Sequence, residues 1–177
     1  MPLPDYIYRV LRDDENTAEG LKARNPEANI TPSSHIAGKK VSQYISTTAT
    51  LGAAKTFLGL SKARNKKKKI VQKTYRIVKI NVKKLTNVEI IDLSDPAVLD
   101  KHLPTDPWPE KPKKNSMFRN WATKYGEVLV AGTIPAKCIE TILDEVASDN
   151  YDPSDYSESE DLVSSLSDDM SALSVKK

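Results

Sequence analysis

Cysteine occurs once in the 177 residues, at Cys138, so no internal disulfide can form and no multi-cysteine metal site can be built. Between Ile134 and Ile139 it reads as a small buried apolar residue rather than a nucleophile. Histidine is nearly as scarce: His35 and His102 are too few for a typical metal centre, and no metal is expected. The six glycines form neither a dinucleotide fingerprint nor a phosphate-binding loop. No apolar run approaches the roughly 20 residues that cross a bilayer, so no membrane partner is expected. The opening Met1-Pro2-Leu3-Pro4-Asp5 lacks the basic-then-apolar order of a secretion signal. This reads as a cytoplasmic protein, or as a delivered effector whose transport signals lie elsewhere.

Acid is missing only locally. Residues 62–84 hold eleven Lys or Arg and no Asp or Glu, with Lys66-Lys67-Lys68-Lys69 at their centre. Four adjacent lysines repel one another, which places them in a solvated loop. The opposite bias rules the end of the chain, where residues 152–177 carry −5 against +8 for residues 1–151. Beyond Ser148 the composition collapses to Ser, Asp and Glu, too polar to offset ordering entropy by burial. The expected organisation is one basic domain over residues 1–148, near the usual domain size, and a disordered acidic tail over 149–177. That tail could lie over the basic face.

What is present alternates between strand and helix signals. Tyr6 to Leu11 is rich in β-formers, and Val41 to Thr47 offers a second strand after a loose loop over residues 13–34. From Thr50, a plausible N-cap, Leu51, Ala54, Phe57 and Leu58 recur at helical spacing, and this helix should end near Ser61 to Arg64. Val78, Ile80 and Val82 alternate with polar residues as a half-buried strand, and Val88 to Leu93 gives another. Ser94-Asp95-Pro96 caps a short helix running to Leu103, and Pro104, Pro107, Pro109 and Pro112 then break regular structure. A helix over Ser116 to Lys124 ends at Gly126. Glu127 opens the apolar run Val128-Leu129-Val130-Ala131, and Ile139 to Leu143 closes the pattern as a last strand. The order is that of an α+β domain.

Three polar positions stand at strand starts or ends: Arg9, the triplet Ser46-Thr47-Thr48, and Glu127. Each has a plain structural reading, as a surface arginine, a strand end before a helix cap, and an exposed carboxylate. A charge that opens an apolar strand is nevertheless expensive to bury without compensation.

Their order and spacing resemble the Arg, Ser-Thr and Glu pattern of the cholera-toxin-like ADP-ribosyltransferases, including the pierisin-like branch. The elements are Tyr8-Arg9-Val10, Tyr44-Ile45-Ser46-Thr47-Thr48 and Gly126-Glu127-Val128, within a likeness spanning roughly residues 6–143. Residues 127–135 also resemble the end of a fungal domain of uncharacterised function. The resemblance implies two packed, mainly antiparallel sheets with flanking helices, and NAD as the substrate. Glu127 would grip the ribose and face the oxocarbenium-like charge that grows as nicotinamide leaves, an interaction stronger in the transition state than in the ground state. Arg9 would fork onto phosphate oxygens, Ser46 would orient Glu127, Thr47 and Thr48 would brace the NAD-binding strand, and His35 would line the adenosine side.

One position departs from the pattern. Arginine-specific relatives carry a Glu two residues before the catalytic one, where this chain has Tyr125. With Trp121 it puts aromatic rings where the family's acceptor loop lies, and either a protein or a nucleic-acid acceptor fits. The implied protein is a monomer. Two other readings stay open: a non-enzymatic basic module that grips nucleic acid or protein on the same fold, and an NAD glycohydrolase with water as acceptor.

Overall fold

The computed structural model describes residues 3–38, 40–69, 74–105 and 113–146. The expected boundary at 148 and 149, the acidic tail, and Pro107, Pro109 and Pro112 lie outside these residues. Strand β1 (Tyr6–Val10) is followed by β2 (Leu21–Lys22) and the short helix α1 (Pro32–Ile36), which Thr31 caps by accepting the Ser34 N–H. The stretch expected as a loose loop therefore contributes a two-residue strand and a helix. Strand β3 (Tyr44–Thr48) runs into helix α2 (Leu51–Lys68), started by Thr50, whose hydroxyl accepts the Ala53 N–H.

The lysine run corrects the expected end of that helix. Lys66, Lys67 and Lys68 form its last turn, and Lys69 caps it in the left-handed region at φ 54°. Lysine is a good helix former, and cations at a helix C-terminus meet the negative end of the macrodipole, which outweighs mutual repulsion in water.

Strand β4 (Thr74–Asn81) takes the first two alternating valine and isoleucine positions, but Val82 begins a turn of tighter helix instead of extending it. Strand β5 (Ile90–Asp92) and helix α3 (Pro96–His102) follow, with the Asp95 carboxylate accepting the Ala97 and Val98 N–H groups. Helix α4 (Lys113–Lys124), strand β6 (Glu127–Ala131), strand β7 (Thr133–Ile134) and strand β8 (Ile139–Val146) complete the described chain. Among the described residues no helix is long and apolar enough to cross a membrane.

Six strands form one sheet in the order β5-β6-β3-β1-β4-β8, and every neighbouring pair is antiparallel. A second, two-stranded sheet pairs β2 with β7. It closes one face of the large sheet, where Leu21, Ile134 and Cys138 pack with Ile7, Ile45, Val78, Ile80, Val128 and Val130. Cys138 is buried there and donates its S–H to the Lys84 carbonyl at 3.3 Å. Helices cover the opposite face: Ala54 and Leu58 of α2 on Tyr75 and Ile77, and Leu99 and Phe118 of α3 and α4 near Ile91 and Leu129. Arg119 joins these two helices by donating to Asp100 at 2.6 Å and to the Leu103 carbonyl.

Phe57 does not join this core. The helical spacing placed it with Leu51, Ala54 and Leu58, yet its side chain is 43% exposed. Position 57 lies one residue round from Leu58, at the rim of the stripe that faces the sheet.

Candidate active site

The sheet is thinnest at its centre. Between β1 and β3 the one registered pair is Tyr8 with Thr48, and continuing the ladder would set Val10 opposite Ser46. The strands part instead, and the Ser46 carbonyl is taken by a side chain: Arg9 donates to it from Nη1. The opposite edge of β3 is closed by β6, with Thr47 against Val128 and Thr48 against Glu127. The Thr47 hydroxyl donates to the Val128 carbonyl at 2.7 Å, and the Thr48 hydroxyl donates to the Thr50 carbonyl at 3.1 Å, which ties the strand to the start of α2. Arg9, Ser46 and Glu127 thus come together from three neighbouring strands.

Arg9 is buried, at 8% exposure, and held on two sides. Its Nε and Nη2 donate to the Glu15 carboxylate, the shortest contact being 2.8 Å, while Nη1 takes the Ser46 carbonyl. Glu15 is itself fixed by the Arg12 backbone N–H at 2.9 Å and by the Arg12 guanidinium at 3.3 Å. An arginine has five N–H donors in a planar fork. These contacts engage Nε–H and one N–H on each terminal nitrogen, so the guanidinium retains donors for a further anion. Sequence reasoning passed over Glu15, because the run Asp13-Asp14-Glu15 gives no sign of which carboxylate turns inward.

Glu127 is half-buried as a residue, and its carboxyl group is desolvated. Desolvation raises its pKa from 4.5 to about 7, although a hydrogen bond from Ser46 and the Arg9 charge both pull it down. His35 moves the other way: burial, then the Arg9 charge, lower its pKa from 6.5 to about 4, so the ring is neutral at physiological pH. Its Nε2 lies 2.9 Å from the Ser46 hydroxyl and its Nδ1 lies 2.5 Å from the Ser42 hydroxyl. The imidazole therefore sits behind Ser46, inside the same cluster, and meets the Tyr44 ring edge to face with centroids 5.6 Å apart.

These contacts have one consistent direction when Glu127 is ionised. The carboxylate only accepts, so Ser46 donates to it. Ser46 then accepts from His35 Nε2–H, which leaves Nδ1 to accept from Ser42, whose oxygen receives the Tyr44 backbone N–H at 3.2 Å. Ser42 is a second residue that sequence reasoning missed; it lay within a strand-like run with nothing to mark it. At mildly alkaline pH the ring nitrogens of His35 should report the Nε2–H tautomer by nitrogen NMR, and Ser42→Ala should give a mixture. An unchanged single tautomer in the variant would remove Ser42 from this chain.

Trp121 and Tyr125 lie just before Glu127, at the end of α4 and in the turn after it. Their rings meet edge to face at 6.0 Å, and Phe57 of α2 meets Tyr125 at 6.4 Å. The exposed Phe57 so extends the pair into a row of three rings. Gly126 makes the turn into β6 with φ 55°, and a Cβ there would come within 3.3 Å of Ala49 Cβ. The Ala49 N–H donates to the Gly126 carbonyl at 2.7 Å. The aromatic row is thereby pinned beside Glu127. Among the described residues no group of three or more His, Cys, Asp or Glu side chains could hold a metal.

No family model matches the chain, and no curated protein does. Solved structures do, in nine chains. One is EcPltA, 16% identical, with a TM-score of 0.54 over 78% of this chain and 74% of that one. PltA is an ADP-ribosyltransferase toxin subunit. At this identity the likeness shows the fold, and the fold is ADP-ribosyltransferase-like: among the described residues, a large antiparallel sheet, a smaller one and four helices.

Proposed function

We propose that the protein transfers ADP-ribose from NAD to a macromolecular acceptor, a protein or a nucleic acid, and releases nicotinamide. One observation carries this reading: the meeting of Arg9, Ser46 and a desolvated Glu127 at the gap in the sheet. A carboxylate there, in its ionised form, stabilises the positive charge that grows on the ribose as the nicotinamide bond lengthens. Ser46 aims it, and the His35 ring behind Ser46 holds that hydroxyl in its donating orientation. Arg9, clamped by Glu15, has little freedom left to lose and directs its remaining donors at the phosphate oxygens.

The acceptor meets the aromatic row on this reading. Phe57, Trp121 and Tyr125 form a partly open row of rings set edge to face next to Glu127, each offering a face on which a base or an amphipathic side chain could stack. Phe57→Ala and Tyr125→Ala should each lower transfer about tenfold or more, while nicotinamide release to water changes by less than about twofold. Equal losses in both assays would make these rings packing residues.

Labelled NAD, the protein and a cell lysate provide the direct test. Label that becomes bound to macromolecules and is then released by protease or by nuclease identifies the acceptor class. Free ADP-ribose without bound label makes the protein a glycohydrolase. No nicotinamide release under any condition leaves a binding module on a transferase fold.

A further inference from the structure

The lysine end of α2 is the strongest charged feature outside the active site. Lys66, Lys67 and Lys69 are exposed, and among the described residues none has a carboxylate within ion-pair distance. The surrounding sequence offers no acid either, since residues 62–84 carry eleven Lys or Arg and no Asp or Glu. The chain's acids are concentrated elsewhere: residues 144–161 hold eight carboxylates and no base.

The fold sets the start of the acidic run, at the end of β8, beside the strand end into which the chain from α2 leads. Strand β8 is an edge strand, and its register against β4 sets Val146 opposite Thr74. The chain therefore leaves the sheet where the chain from α2 enters it. Lys69 lies within about 17 Å of Thr74 along an extended backbone. Residues 147–161 reach up to about 50 Å, whereas α2 from Lys69 back to Lys55 measures about 21 Å. A segment tethered at this point meets the helix at an effective concentration near millimolar.

We infer that the acidic segment 147–161 is the intramolecular partner of the lysine end of α2, covering it and competing with other polyanions for it. Single exposed ion pairs are weak, so the cover rests on several at once and is loosened by salt. Its occupancy is independent of NAD chemistry. The cover keeps a phosphate-rich polymer off α2 until that polymer, by its higher charge density, displaces the segment.

Carbodiimide cross-linking of the full chain tests this directly. At low salt it should join Lys66, Lys67 or Lys69 to carboxylates of 149–161 within one molecule, and the yield should fall severalfold at about 0.5 M salt, where screening is nearly complete. In parallel, a fluorescein-labelled single-stranded oligothymidylate serves as the polyanion. Replacing Asp149, Asp152, Asp155 and Asp161 by Asn, and Glu158 and Glu160 by Gln, should tighten its binding about tenfold at low salt, with the gain vanishing as salt rises. With Lys66→Gln, Lys67→Gln and Lys69→Asn also present, that gain should shrink below about twofold. Unchanged oligonucleotide affinity, a gain that survives the lysine substitutions, or cross-links formed only between two chains would each overturn the inference.

Discussion

Glu127→Gln should lower NAD cleavage by about a hundredfold or more while making the fold sturdier above neutral pH. Glutamine keeps the shape and a hydrogen-bonding oxygen for Ser46 but cannot carry the charge. The stability change follows from a pKa raised from 4.5 to about 7. A folded protein that holds this proton more tightly than the unfolded chain loses stability as pH rises from 4.5 through about 7, and stays less stable above that window. The Gln variant carries no such penalty. Its melting temperature should exceed that of the parent by about 3 °C or more in mildly alkaline buffer, and the gap should close in acid. His35 works in the opposite sense. Its pKa falls from 6.5 to about 4, so its contribution is present above 6.5 and is lost as pH falls toward 4. The two groups offset each other in the parent on acidification, and removing Glu127 should leave the steeper acid loss of His35 in view. Calorimetry across this pH range and a nicotinamide-release assay are the measurements. Undiminished nicotinamide release would end the transferase reading, and parallel melting curves would place Glu127 in water.

Glu15→Gln should produce the largest loss of stability at the site. Arg9 and Glu15 have side-chain exposures of 9% and 4%, so neither charge has water to fall back on. Removing one member of such a pair strands the other, a loss of about 3 kcal/mol or more. For a chain of this size that lowers the melting temperature by about 6–12 °C. NAD affinity should fall as well, because Arg9 loses the clamp that aims it. The double variant Arg9→Met with Glu15→Leu separates the two effects. It replaces the pair by apolar groups of similar volume, so most of the stability should return while NAD binding stays lost. If Glu15→Gln melts with the parent, the pair is solvated and Arg9 is held by Ser46 alone.

Local chemistry made much of the fold legible. Asp95 before Pro96, and Thr50 before an apolar helical repeat, state where α3 and α2 begin, because a capping side chain and a fixed φ act within a few residues. The polar positions Arg9, Ser46 and Glu127 were visible as breaks in β-forming runs. What decides the rest is not local. Strands β2 and β7 have two residues each, too short for any periodicity, and exist because they pair with each other over the core. The end of α2 depends on whether lysine propensity and dipole outweigh repulsion, a balance that composition alone does not settle. Glu15 and Ser42 entered the site through tertiary contacts with Arg9 and His35, and neither carries a spacing that announces it. Phe57 was misplaced because the helical stripe marks a face, and a residue at the rim of that face can turn to a ring beside it, here Tyr125, and stay outside the core.

The gap between β1 and β3 has a consequence for biosynthesis. Arg9 meets Ser46 across a sequence separation of 37, but Thr47 closes on Val128 only across 81. At about 5–20 residues per second, a ribosome needs roughly 4 to 16 seconds to add the intervening stretch. Throughout that interval β3 has a single registered pair with β1 on one side and nothing yet made for the other. The strand that carries Ser46 is thus born with a bare edge, in the part of the nascent chain most exposed to mispairing with a neighbour. It is the arrival of β6, bringing Glu127, that both seals this edge and completes the site, so translation delivers the last reactive group and the partner of β3 in one step.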